Sequence, residues 1–296
     1  MKEQYLIHIP KKDHLTGILH QRNNLFALLM EAKLLNRTAV IPALLLNGKH
    51  NNGKKVETSW SRYIDINQLK SFHSFVLESD LDKMDSLQSK VIDENVKPSE
   101  IENEEAPLII RKHQQYPNYY LLINIIGKQD WYRELLSLFR PSKHVLEYAN
   151  IAINKMGTYN CMHVRRGDKL TWKQCPGLDK ATQPKKLKSY LDKNTNKNDN
   201  IYIMSNETKE GYFDLLKEHY KVFTYKDFEE YPKLGEDDNY FLFMVESEIM
   251  NQAKIKIKTF KEEGYISILN YGPNGKDFLS NKIRRKFKYL RKKLNL

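Results

Sequence analysis

Along the chain, compact apolar runs alternate with apolar positions repeating at helical spacing, the pattern of strands and helices taken in turn. Residues 5–9 (YLIHI) predict a short buried strand. HLTGILHQRNN predicts a polar turn, and Leu25, Leu28, Leu29, Ala32 and Leu35 then predict a helix ending near Asn36. AVIP at 39–42 follows as a strand running into proline, which completes a βαβ opening. A second opening begins with a helical stretch at 142–156 and the apolar run YNCMHV at 159–164, which breaks into the charged turn RRGDK. Next, Thr182 is read as the cap of a helix with Pro184 in its first turn and Leu187 and Leu191 on one face. NIYIM at 200–204 predicts a strand, and 207–219 a helix presenting Phe213, Leu216 and Tyr220. VFTY at 222–225 is strand-like, and 238–253 reads as a strongly apolar helix. The expectation is an α/β chain with two halves, 1–141 and 142–275, and a basic C-terminal helix at 276–296.

Composition narrows the class. With 40% hydrophobic and 29% charged residues, 12 Gly and 10 Pro, the 296-residue chain is neither collagenous nor low-complexity nor wholly disordered. Two cysteines build no disulfide framework and fall short of a four-thiolate zinc site, so a reducing compartment is expected. The opening MKEQYLIHIPKKDH carries charge and proline where a secretory signal needs an unbroken apolar run, and no 18-residue apolar stretch follows. A cytoplasmic protein is expected. The net charge of +12 first points to an anionic partner, yet +8 of it lies between Lys276 and Leu296. Residues 78–105 carry ten acids against three lysines and read as a solvated excursion.

The sharpest chemistry is the run C-M-H-V-R-R-G-D at 161–168, where an apolar strand ends in His163, Arg165, Arg166 and Asp168. Ligands of open α/β sheets bind at that edge. Two arginine forks suit phosphate oxygens, and an adjacent carboxylate can hold one of them in place, so a diphosphate is a natural target. The residues alone equally allow a surface Arg–Asp turn beside a packed strand histidine.

These residues resemble the GDP-fucose-dependent fucosyltransferases of the protein O-fucosyltransferase and α1,6-fucosyltransferase superfamily, whose H-x-R-R-x-D motif HVRRGD matches. The resemblance continues in GILHQRNNLFALLMEAKLLNRTAVIP, in YIDINQL at 63–69, in NIYIMSNE at 200–207 and in MVESEIMNQAKIKIKTF at 244–260, in the same order along the chain. It implies a GT-B architecture, two Rossmann-like halves facing a cleft, and inverting, metal-independent transfer of fucose from GDP-fucose to a glycan hydroxyl. Arg165 matches the arginine that meets the β-phosphate, where a fixed guanidinium stabilises the departing diphosphate without a cofactor. Arg166 and Asp168 match a second phosphate contact and its brace, and His163 either faces the nucleotide or orients Arg165. Glu246 matches an acid at the nucleotide base or ribose, or else is a glutamate on a helix surface. Thr259 stands with the donor-binding residues, and Gly17 and Arg22 match a loop lining the cleft, Gly17 alternatively serving a positive φ. The sequence departs from the pattern at three places. His20 replaces an asparagine, as a base for the acceptor hydroxyl or as a tolerated change, and Asn206 replaces an aspartate. Lys261 and Glu262 stand where serines cradle the β-phosphate, which leaves room for another nucleotide sugar.

Weaker signals fill out the picture. Asp80 and Asp82 form an Asp-x-Asp pair inside the acidic run, the pattern of metal-dependent transferases, but surface carboxylates explain them as well. Cys161 and Cys175 read as a buried strand thiol and a loop thiol. In the tail, Ile283, Phe287, Leu290 and Leu294 make an apolar stripe among basic residues, suited to an anionic bilayer or to packing on the fold. The expected partners are a nucleotide sugar, a soluble or lipid-linked glycan acceptor and an anionic membrane surface. Nucleic acid is not expected, because no binding motif accompanies the charge. A non-catalytic protein acting through the tail is the alternative from another class.

Overall fold

The computed structural model describes residues 3–9, 17–48, 50–81, 86–113, 119–171 and 177–259. Two compact units emerge: Met1–Tyr148 with Glu230–Val245, and Ala149–Glu229 with the chain from Glu246.

The first unit opens with β1 (Tyr5–Ile9), α1 (Ile18–Leu34) and β2 (Thr38–Ile41), followed by β3 (Leu44–Leu46) and β4 (Val56–Thr58). It continues through β5 (Phe75–Leu77), β6 (Ser89–Asp93), β7 (Leu108–Lys112), α2 (Tyr119–Ile126), α3 (Gln129–Leu138) and the start of α4 (Lys143–Met156). Its main sheet runs β5-β2-β1-β7-β6 with every pairing parallel, and β3 and β4 form a separate antiparallel pair. Parallel strands are covered on both faces, which explains the unbroken apolar runs: Leu6, Ile7, Ala39, Val40 and Ile109 are all buried.

Two expectations change here. The predicted polar turn is already helix from Ile18, because α1 is covered nearly all round and its apolar stripe does not mark its start; Phe26 to Met30 are consecutive buried residues. Its polar residues are absorbed locally. Gln21 pairs with Leu45 as a strand residue would, its amide donating to the carbonyl at 2.6 Å and accepting from the N–H at 3.0 Å. The acidic stretch, expected to be a solvated excursion, supplies β6 as the sheet edge, mostly exposed, with Ile92 buried.

The second unit contains β8 (Tyr159–Val164), α5 (Leu178–Ala181), α6 (Pro184–Asn194), β9 (Asn200–Ser205), α7 (Asp214–Lys217) and β10 (Lys221–Phe223). After α8 (Glu230–Asp237) and α9 (Asn239–Gln252), β11 (Lys256–Lys258) completes a parallel sheet ordered β10-β9-β8-β11. Met162, Val164, Leu187, Leu191, Ile201, Ile203, Leu216 and Ile257 fill its core. The helix expected over 207–219 shrinks to α7, since Gly211 sits at φ +70 and interrupts it; Leu216 and Tyr220 still face the core. Gln183, not Thr182, caps α6, with Pro184 in its first turn as expected.

The sequence reading drew both halves as contiguous, whereas residues 230–245 cluster with the first unit. Polar contacts within that unit account for it. Asp238 accepts from Arg62 Nε at 2.9 Å and from the Tyr63 hydroxyl at 2.8 Å, and the Asn47 N–H reaches the Tyr240 hydroxyl at 3.2 Å.

Candidate functional site

In the second unit, β8 lies between β9 and β11, so its C-terminal end opens onto the middle of a parallel sheet edge. The turn after β8 is built by side chains from the end of β9. The Ser205 hydroxyl donates to the Val164 carbonyl at 2.7 Å and accepts from the Glu207 N–H at 3.0 Å. Asn206 Oδ1 accepts from the Arg166 N–H at 2.7 Å. Gly167 follows at φ +50, and any Cβ there would run into the Asn206 amide, so a glycine is required on both counts.

Arg166 is buried and engaged by the protein. Its Nε donates to Glu207 Oε2 at 2.6 Å, Nη1 to the Thr182 hydroxyl at 2.6 Å and Nη2 to Asp179 Oδ1 at 2.7 Å, with the guanidinium over the Tyr212 ring at 4.7 Å. Burial opposes its charge, but the hydrogen bonds to Asp179 and Glu207 prevail and raise its pKa. Burial likewise pushes Glu207 up, and the Lys209 N–H and Arg166 pull it down further, so it stays ionised. The expected second phosphate contact thus has its guanidinium turned to protein carboxylates, and the braces found are Glu207 and Asp179. The side chain of Asp168 lies outside the described residues.

Arg165 stands one residue earlier and is half-buried. Beside it, burial and then the Arg165 charge lower the His163 pKa to about 4, so this imidazole is neutral at pH 7. Thr259 is buried at the end of β11, where its hydroxyl donates to the His163 carbonyl at 2.9 Å. His163, Arg165, Arg166 and Thr259 therefore gather at one sheet edge. An arginine at such an edge is suited to an anion.

Glu246 is carried by α9. It is buried on α9 rather than on a helix surface, and Oε1 accepts from the Tyr202 hydroxyl at 2.8 Å. Burial pushes it up to about 8 against the pull of Tyr202, so a protonated carboxyl prevails at pH 7, able to donate as well as accept. Cys161, whose strand position pairs with Tyr202, is a buried free thiol whose pKa is pushed up chiefly by burial.

Gly17, Arg22, His20 and Asp80 belong to the first unit. Gly17 precedes α1 at φ −72 with open space around its α-carbon, which removes the positive-φ explanation. Arg22 is buried in α1, its guanidinium 5.5 Å from the Phe26 ring centre and 5.6 Å from that of Phe139, and it donates to Asn23 Oδ1 at 3.0 Å. His20 is half-buried in the first turn of α1. Asp80 is exposed in a 3₁₀ turn. Asp82, Cys175, Lys261, Glu262 and the stripe from Ile283 to Leu294 lie outside the described residues. Among the described residues, no group of three or more His, Cys, Asp or Glu could hold a metal ion, and no helix is long and apolar enough to cross a membrane.

Sequence reasoning missed Asp179 and Thr182 as partners of Arg166. It also missed a buried cluster in the first unit: Arg111 donates through Nε to Glu31 at 2.8 Å and through Nη2 to the same carboxylate, which meets His8 Nε2 at 2.7 Å. The available signal was a charge inside each of two apolar runs, Glu31 in LLMEAKLL and Arg111 in LIIRK.

No family model matches the chain, and no curated protein matches it. Solved structures do. POFUT1 in complex with GDP-fucose aligns at TM-score 0.57 and 10% identity, over 90% of this chain and 93% of that one. The fucosyltransferase NodZ from Bradyrhizobium aligns at TM-score 0.54 and 12% identity, over 92% of each chain. NodZ α1,6-fucosyltransferase co-crystallized with GDP aligns at TM-score 0.51 and 12% identity, again over 92% of each. The chain has the GT-B fold of these fucosyltransferases, as its sequence resemblance implied.

Proposed function

We propose that the protein is an inverting glycosyltransferase that moves fucose from GDP-fucose to a glycan hydroxyl. The observation that carries this reading is Arg165 at the C-terminal end of β8, half-exposed and next to an arginine whose own contacts are protein carboxylates. When the glycosyl bond breaks, negative charge grows on the diphosphate. A guanidinium already in place stabilises that charge with little reorganisation. In this reading Arg165 meets the β-phosphate, His163 and Thr259 shape the same edge, Glu246 is a candidate for the nucleoside, and transfer needs no metal. The likeness to POFUT1 and NodZ, whose structures hold GDP-fucose or GDP, supports a nucleotide-sugar donor. Lys261 and Glu262, in place of cradling serines, favour a second reading in which the same fold takes another nucleotide sugar.

The acceptor is read as a soluble or lipid-linked glycan, and the setting as cytoplasmic, at an anionic membrane surface held by the basic tail. Binding to anionic vesicles should then fall steeply as salt shortens the Debye length. The central test is calorimetric binding of GDP together with turnover of GDP-fucose in excess EDTA. Binding with full activity supports the reading. Recovery only on adding Mn²⁺ or Mg²⁺ overturns its metal-independent form, and tighter binding of a different nucleotide moves the donor assignment.

A further inference from the structure

In the donor reading Arg165 acts through its guanidinium, and the direction of that side chain starts from its backbone. A residue's Cα–Cβ direction is set by the two peptide planes flanking it. Here both planes are held by neighbouring side chains from one strand end. The plane before Arg165 carries the Val164 carbonyl, which accepts from the Ser205 hydroxyl at 2.7 Å. The plane after it carries the Arg166 N–H, which donates to Asn206 Oδ1 at 2.7 Å. Val164 and Ser205 are partners in the β8–β9 register, so the first bond is an extension of the sheet by a side chain. The second is kept close by Gly167, against whose α-carbon the Asn206 amide packs.

We infer that Ser205 and Asn206 are positioning residues that fix the backbone on either side of Arg165 and so aim its guanidinium at the donor diphosphate. This rests on the donor reading of Arg165 given above. Neither residue needs to touch the nucleotide. Their effect is pre-organisation, which is felt mainly where charge develops, in the step that releases GDP.

The test measures GDP release from GDP-fucose, GDP affinity by calorimetry and melting curves for Ser205→Ala, Asn206→Ala and Asn206→Asp. Asn206→Ala is expected to lower kcat by about tenfold or more, with a smaller change in KM, at temperatures where the variant is fully folded. Asn206→Asp keeps the acceptor oxygen and should recover most of that loss. Ser205→Ala should fall between the two. A double-mutant cycle supplies the readout that a merely structural role would not move. In an Arg165→Ala background, Asn206→Ala should change GDP release little, because nothing remains to be aimed. An equal fall in both backgrounds overturns the inference, as does wild-type turnover in all three single variants. If the wild-type chain itself neither binds GDP nor releases it from GDP-fucose, the donor reading fails and the inference falls with it. A functional wild type with unaffected variants sinks the inference alone.

Discussion

Arg111 in the first unit and Arg166 in the second invite comparison, because each belongs to the C-terminal side of a parallel sheet and each is paired with a carboxylate. Arg111 and Glu31 are both sealed in the interior; Nη1 of Arg111 reaches the carbonyls of Asp93 and Val96 at 2.9 Å each. Arg166 is equally well satisfied, yet Asp179 is exposed and Arg165 beside it is only half-buried. One cluster closes a core, and the other holds up an edge. A buried ion pair adds little over a well-packed apolar pair, though losing one partner strands a charge. The same chemistry near solvent can instead keep a neighbouring arginine in place.

The sharpest way to break the comparison is to remove one partner on the buried side. Glu31→Leu should cost about 3–5 kcal/mol of stability by denaturant titration, since Arg111 is left charged in the interior. The double variant Glu31→Leu with Arg111→Met should regain most of it. If the single change costs under about 1 kcal/mol, the cluster is not the sealed pair described. Next in size, Arg165→Ala should lower transfer by about 10²-fold or more, roughly 3 kcal/mol of transition-state stabilisation, and hardly move the melting point. Near-normal turnover would remove Arg165 from the chemistry.

A third effect, confined to one side of the pH range, is expected at Glu246, a buried acid bonded to the Tyr202 hydroxyl. Its pKa is raised from 4.5 in the ordinary state to about 8 on folding. The stability tied to its protonated form is therefore complete below about pH 4.5 and lost as pH rises through about 8. Glu246→Gln keeps a neutral acceptor for Tyr202. Its melting point should match the wild type near pH 4 and exceed it above pH 8, and a constant difference across that range would show that Glu246 does not titrate in this way.

Much of this arrangement was legible in the sequence, and the limits have physical causes. The bounds of β8 were read correctly at 159–164 because a central parallel strand is apolar along its whole length and ends where charge begins. The start of α1 was not, because Gln21 and Arg22 look like turn residues until their partners are known; one bonds to Leu45 and the other lies against Phe26 and Phe139. Within the motif, the residues alone do not say which arginine is held and which meets a phosphate, and the resemblance assigns Arg165 to the β-phosphate and Arg166 to a second contact. Only the return of the chain at Asp179, Thr182 and Glu207 shows that Arg166 is held by the protein. Spacing within a motif cannot report residues that arrive from another strand. For the same reason Glu31 and Arg111 gave no sign of each other, being joined across α1 and β7 rather than along the chain.

The contact between Gly167 and Asn206 has a consequence for how this sequence can drift. A Cβ at position 167 would occupy the space of the Asn206 amide, so changes at 167 and 206 are expected to be coupled. A lineage that acquires a side chain at 167 must shorten or reorient the one at 206, and the second change removes the acceptor that holds the Arg166 N–H. Among future homologues, glycine at the first position should thus predict asparagine, or its isosteric acid, at the second. A chain that has lost one while keeping the other would be a candidate for a relative that retains the scaffold with a rebuilt turn after β8.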